Sequence, residues 1–381
     1  MEEAGLLIAL IQYSITGVAP ADSLLQELTE ERLKQVFDLA RLHDVTPLVA
    51  YALHKLGALT PGMEAKCQQV MFAAAMRYEQ MNYALQQTMA LLEQSKVDFI
   101  PLKGAVLRPL YPEPWMRTSC DIDILVRDVD RAEKILTESG YTNLGRGSHD
   151  VQFKTPDGML LELHFELIET RKQISTVLEK VWEQAAPKAP GSSHYVIDDA
   201  MQYFYHTAHM VKHFGFGGIG IRFFVDTWLL CNKVTYDPDA RAALLRQGGL
   251  YAFGCQAERL SRVWLENAPA DPLLNEMANF ALAGGTLGSN DNQVKVHKSK
   301  TSGKAGFLLY RIFMPYDAMR LKYPVLKKWP VLLPVYWVIR WGQVLTGSKL
   351  RNAMREVQMN ETLDNTTVQG IRWMMQELEL S

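Results

Sequence analysis

The sequence predicts an α+β fold, with a small mixed sheet at about residues 97–185 flanked by N-terminal (1–96) and C-terminal (186–381) helical regions. Three observations predict it. Apolar residues recur at three- and four-residue spacing before Val97, alternate with period two between Val97 and Leu167, and return to helical spacing from about Ser175. At 381 residues the chain can hold two or three units of roughly 100–200 residues each. Its 48% hydrophobic content allows a sizeable core and excludes a disordered chain.

The elements follow in order. Leu24, Leu25 and Leu28, then Leu33, Val36, Phe37 and Ala40, form an apolar helical stripe. Thr29 before Glu30 and Glu31 is a helix start, its hydroxyl capping a free N–H and the acids facing the positive end of the dipole. Val97, Phe99, Ile100 and Leu102 predict a short strand, Lys103-Gly104 a turn, and Ala105 to Tyr111 a short helix that Pro109 weakens and Pro112 and Pro114 end. Cys120 to Arg127 alternates as a strand. Asp128 caps a helix through Glu138, which Gly140 stops. Val151 to Thr155 and Met159 to Leu167 form a hairpin around Pro156-Asp157-Gly158. The stretch 284–306, rich in Gly, Ser, Asn and Lys, is expected to be a mobile, solvated loop.

Composition narrows the class. A net charge of -2 gives no general pull toward nucleic acid. Four cysteines without CxxC spacing exclude a disulfide scaffold or zinc pattern and fit a reducing cytoplasm. The start at Met1, Glu2, Glu3 is unlike a secretory signal. No apolar run reaches the roughly 18 residues of a membrane span. Residues 322–345 mix Trp329, Tyr336, Trp337 and Trp341 with Lys327, Lys328 and Arg340, which suits peripheral membrane contact or, as we expect, a helix docked on the protein.

Asp121 and Asp123 lie two apart on a strand, so both carboxylates point to one face, and Ile122 and Ile124 to the other. At about 5 Å and an effective dielectric near 20 they repel by roughly 3 kcal/mol, which either raises one pKa or recruits a cation. Hard oxygen ligands suit Mg²⁺ or Mn²⁺. On the later strand, Glu162, His164 and Glu166 share the polar face opposite Leu161, Leu163, Phe165 and Leu167. If the two strands pair, Glu162 completes a three-carboxylate site with room for two metals roughly 3.5–4 Å apart. Lys103-Gly104 offers a close backbone approach and a cation for a phosphate, and Arg117 a guanidinium for a phosphate or for the carboxylates. His206, His209 and His213 share one helical face, as core histidines or as metal or substrate contacts. No HExxH is present.

This order of parts resembles the nucleotidyltransferase superfamily with the polymerase-beta-like fold. More closely, Leu102-Lys103-Gly104, Arg117, Asp121-Ile122-Asp123-Ile124-Leu125-Val126 and Glu162-Leu163-His164 resemble an uncharacterised bacterial nucleotidyltransferase family with Lys-Gly in the turn. That family continues into helices with a His-rich segment and an Arg-x-x-x-Asp step, which His206, His209, Arg222 and Asp226 match. The likeness is at motif level over 95–170 and looser to about 345. It departs in lacking the superfamily's second Gly or Ser, and in having Glu162 where Asp is usual. It implies an enzyme that moves a nucleoside monophosphate from an NTP to a hydroxyl acceptor. Asp121, Asp123 and Glu162 would hold Mg²⁺ or Mn²⁺; Lys103, Gly104 and Arg117 would bind the nucleotide; His164, His206, His209 and Asp226 would border the cleft. The alternative is a weakly catalytic or non-catalytic nucleotide-binding module, peripheral to a membrane.

Overall fold

The structure, a computed structural model, describes residues 2–299, 312–345 and 365–380, apart from 27, 58, 170, 216, 287 and 324. Five helices open it: α1 (Glu2–Thr16), α2 (Asp22–Gln26), α3 (Glu30–Leu42), α4 (Thr46–Leu56) and α5 (Pro61–Gln94). Thr29 caps α3 as its sequence predicts, its hydroxyl accepting from the Arg32 N–H at 3.2 Å.

The sheet contains β1 (Phe99–Pro101), β2 (Asp121–Val126), β3 (Thr142–Arg146), β4 (Asp150–Lys154) and β5 (Leu160–His164), in the order β1-β2-β5-β4-β3. The short helix α6 (Gly104–Leu107) follows β1 and runs into a 3-10 turn at Arg108–Leu110; α7 (Val129–Glu138), capped by Asp128, follows β2. β2 and β5 are parallel and the other pairs antiparallel, so the sheet is mixed. Period-two alternation splits its two faces. Ile122, Ile124, Val151, Phe153, Leu161 and Leu163 pack against Met81, Leu85 and Leu92 of α5 and Ala132 and Leu136 of α7.

Beyond the sheet come α8 (Lys172–Leu178), a small hairpin of β6 (Ala185–Pro187) and β7 (Tyr195–Ile197), then α9 (Asp199–Gly215), α10 (Ile221–Asn232), α11 (Pro238–Gln247), α12 (Tyr251–Glu266), α13 (Pro272–Gly284) and α14 (Asn290–Ser299). These helices share one apolar core with the N-terminal ones, in which Leu6, Leu10, Phe37 and Val49 meet Phe204, Phe214, Phe224 and Phe253. Each such ring contributes about 1.5–3 kcal/mol on burial. The glycine-rich loop after α9 lies hard against the loop after α13: a Cβ on Gly218 would stand 1.9 Å from the Gly288 Cα. Thr286 N–H donates to the Leu42 carbonyl at 3.0 Å, joining that loop to the end of α3.

Three features differ from the sequence reading. β3 is fully exposed, with a register shift at Asn143/Gly145, so no apolar alternation marks it. β6 and β7 are three residues each, too short for a period to register. The loop expected at 284–306 is helical over Asn290–Ser299. Tertiary contacts override its polar composition there, because Asn292 Nδ2 donates to the Phe280 carbonyl and Val296 is buried. Residues 300–306 lie outside the described ones.

The remaining helices are α15 (Tyr316–Lys322), α16 (Val325–Lys328), α17 (Leu333–Leu345) and α18 (Asn365–Glu377). On α17 the Trp337 and Trp341 indoles turn inward, donating to the Met314 and Ile312 carbonyls, while Val335, Val338 and Ile339 are exposed. No helix among the described residues is long and apolar enough to cross a membrane.

Candidate active site

The parallel register sets Asp121 opposite Leu160 and Asp123 opposite Glu162. Because successive side chains alternate faces, Asp121, Asp123, Glu162 and His164 all emerge on the face turned away from α5 and α7. The pairing on which the three-carboxylate reading depended is therefore present. Asp123 is almost completely buried, with Asp121 and Glu162 half-buried beside it.

Asp123 is the hub. Its Oδ1 accepts from Lys103 Nζ at 2.6 Å and faces His164 Nε2 at 2.9 Å. Burial alone raises its pKa, but Lys103 and His164 outweigh burial and hold it well below the usual carboxylate range. Its neighbours move the other way: burial, then the Asp123 charge, push Asp121 and Glu162 up. Burial also opposes the Lys103 ammonium, yet Tyr205 and Asp123 beside it raise Lys103 above its ordinary range. Asp123, Glu162 and His164 each bring a ligand atom within 4.8 Å of the others, a donor set that fits a divalent cation. The His164 Nδ1 is buried without a hydrogen-bond partner. A metal-bound imidazole normally has that second nitrogen oriented by a carbonyl or carboxylate. The ring therefore fits better as a brace on Asp123 than as a ligand.

Gly104 begins α6 with two guanidinium groups packed over it. A Cβ there would lie 3.2 Å from Arg108 Cζ and 3.3 Å from Arg117 Nη1. The close approach expected of a phosphate is thus made by arginines. Arg117 itself does not reach the carboxylates of β2. It lies in a buried two-pronged pair with Asp226, Nε to Oδ1 at 2.8 Å and Nη2 to Oδ2 at 2.9 Å. Asp226, expected at the cleft, is buried on α10 and also accepts from the Tyr111 hydroxyl at 2.8 Å. A guanidinium this far from water requires a matched carboxylate, and that requirement takes Arg117 away from the β2 carboxylates and Asp226 away from the cleft, although Arg117 still lines the cavity.

The site opens on a cavity of about 450 Å³, lined by Lys103, Gly104, Asp121, Asp123, Arg222 and His209 among others. This is within the roughly 300–1,000 Å³ of small-molecule sites. A model of the family described as "Uncharacterised nucleotidyltransferase" matches residues 29–266. The chain belongs to that nucleotidyltransferase family. Searches among curated proteins and solved structures return no match. The match begins at the Thr29 cap of α3 and ends with α12, so it takes in the sheet and the cavity's lining residues except Thr286.

Burial keeps the three cavity histidines of this chain neutral. His206 is a core residue at the back wall, Nε2 facing Thr227 Oγ1 at 3.0 Å and the Phe223 carbonyl at 3.2 Å; burial pushes it down to about 4. His209 and His213 face each other, Nε2 to Nε2 at 3.2 Å. Burial pushes His213 down to about 4 and, with Lys103, takes His209 well below its usual range. Neutral rings supply no phosphate charge.

Of the neighbouring charged groups, Arg222 is picked out by the Arg-x-x-x-Asp step, whereas Arg108 and Glu169 carry no sequence signal. Arg108, buried, is held by Ser119 Oγ and the Arg117 carbonyl, without a carboxylate partner among the described residues. Arg222 donates to the Thr118 carbonyl, stands 3.6 Å from Asp44, and has a buried Nε without a partner. Glu169 is buried 3.7 Å from Lys212, and burial pushes it up to about 7. Each depends on contacts between distant segments, which no local pattern records.

Proposed function

We propose that this chain transfers a nucleoside monophosphate from an NTP to a hydroxyl acceptor with the help of a divalent cation. The observation that carries the reading is the β2–β5 register, which gathers Asp121, Asp123 and Glu162 on one face, with the two aspartates lining the 450 Å³ cavity. Asp121, Asp123 and Glu162 would hold Mg²⁺ or Mn²⁺, which when bound draws charge from the triphosphate and stabilises the leaving pyrophosphate. Burial and mutual repulsion leave these acids with a charge excess that a cation relieves.

The chain's own groups account for the rest. Lys103 and His164 fix the Asp123 carboxylate by two contacts to one oxygen. Arg222 lines the cavity and offers its guanidinium to a phosphate oxygen there. Glu162, whose pKa is raised, suits a base that takes the acceptor proton. In the transfer the acceptor oxygen bonds to the α-phosphorus and the bond from that phosphorus to the α,β-bridging oxygen breaks. Pyrophosphate leaves with the electron pair, and the hydroxyl proton passes to Glu162. The acceptor is a sugar, a small metabolite or a protein hydroxyl.

A test combines calorimetric titration of each NTP with Mg²⁺ and a screen of acceptor pools with α-labelled NTPs. Metal-dependent binding that Asp121→Ala/Asp123→Ala removes, with pyrophosphate release by the wild type, supports the reading. Tight binding without release from any pool favours a nucleotide-binding module. Absence of metal-dependent binding overturns it.

A further inference from the structure

We propose that the Lys103 ammonium occupies the place of one of the two metal ions a three-carboxylate transferase site can hold, so that this chain takes up a single divalent cation. The inference rests on the nucleotidyl-transfer reading of the same site and deepens it. Lys103 Nζ stands 2.6 Å from Asp123 Oδ1, at the carboxylate shared by both halves of the acidic cluster. The side chain is mostly buried, so this is no loose surface pair. Among the described residues no hydrogen bond engages Asp123 Oδ2, which leaves that oxygen for one cation.

The backbone supplies a second, independent argument. Lys103 has φ 45 and ψ -109, a conformation glycine adopts readily and other residues do not. Holding a non-glycine residue there stores backbone strain. It is held by the neighbouring ladder: Leu102 N–H donates to the Asp123 carbonyl at 3.0 Å, and the Lys103 carbonyl accepts from the Leu107 N–H at 2.9 Å. A glycine here would remove the strain. The strained lysine aims its ammonium at Asp123, and that contact is what the strain secures. Charge agrees. Three carboxylates and one ammonium leave two negative charges, which one divalent ion neutralises, whereas a second ion would leave the cluster positive before a nucleotide arrives.

The experiment counts Mn²⁺ bound per chain by equilibrium dialysis, with electron paramagnetic resonance of the unbound ion. It compares the full-length wild type with Lys103→Gly and Lys103→Met. Glycine suits the positive φ and methionine removes only the charge; circular dichroism melts check that each is folded. One ion in the wild type and two in Lys103→Gly, with spin–spin broadening from the added ion, is the expected result. Two ions in the wild type, none in it, or one in both the wild type and Lys103→Gly overturns the inference. The metal count is independent of turnover: one ion bound with no nucleotide binding or transfer removes the transfer reading and leaves the count standing.

Discussion

Arg117 and Asp226, 109 positions apart, meet in a two-pronged ion pair at 2.8 and 2.9 Å with both side chains almost out of water. The pair joins the segment before β2 to α10. Removing either partner leaves a buried charge without its match, at about 3–5 kcal/mol. Arg117→Met and Asp226→Asn should each lower stability by that order in urea unfolding. The double variant Arg117→Met/Asp226→Asn should lose less than the sum of the two single losses. Additive losses would mean that the two groups are not coupled.

Gly104 gives a contrast between stability and binding. Alanine there must push the guanidinium groups of Arg108 and Arg117 by a few tenths of an ångström, and both are ends of long side chains. Gly104→Ala should stay within about 1 kcal/mol of wild-type stability, while NTP affinity falls several-fold because the added methyl stands at the cavity lining beside Lys103. Calorimetry alongside thermal unfolding reads both. A large stability loss with unchanged affinity would assign Gly104 to folding only.

Gly218 is the opposite case. Its added Cβ would meet backbone, 1.9 Å from Gly288 Cα and 2.2 Å from Gly288 N, and backbone cannot swing aside. Gly218→Ala should cost at least about 1–3 kcal/mol and loosen the 284–288 loop. Faster amide exchange at Thr286 in hydrogen-exchange mass spectrometry checks the second clause.

Glu169 predicts a pH-dependent stability. Burial pushes its carboxyl up to about 7, above the ordinary glutamate range, so the protonated form is favoured in the fold. Its contribution is complete below about pH 4.5 and lost as pH rises through about 7. Glu169→Gln keeps the site neutral, so the variant should match the wild type near pH 4 and gain up to about 3 kcal/mol above pH 7. Lys212, partly exposed, can re-solvate when the charge is removed. Urea midpoints across that range measure it; a constant difference at every pH would rule out the titration.

Metal affinity should also follow pH. Asp121 and Glu162 are raised, so protons compete with the cation for them. Mn²⁺ binding should tighten as pH rises through their titration and release protons, with a shallower slope in Glu162→Gln. Titration in buffers of different ionisation enthalpy counts the protons.

How far the sequence could be read follows from which forces are local. The carboxylate face of β2, the Pro156-Asp157-Gly158 hairpin and the caps at Thr29 and Asp128 depend on a few adjacent residues, and each stands where its pattern indicates. The parallel pairing of β2 with β5 was conditional in the sequence and is present in the fold. The Arg117–Asp226 pair and the unmatched Arg108 came only with the structure, because nothing near those residues in the chain announces their partners. Lys103 is legible as a cation in a turn, but not as a residue held at positive φ, since the turn's usual residue there would be glycine. The α14 segment reads as loop because its composition is polar; a buried amide and one valine make it helical.

The hydrogen bond from Thr286 to Leu42 has a consequence for biosynthesis. The cavity wall draws on residues near 41–44, 103–123, 202–223 and 286. A nascent chain carrying the whole carboxylate sheet therefore still lacks the enclosing helices, and the cavity closes only once residue 286 has left the ribosome. Until then the acidic cluster is open to water, and a half-made chain offers no enclosed cavity to a nucleotide.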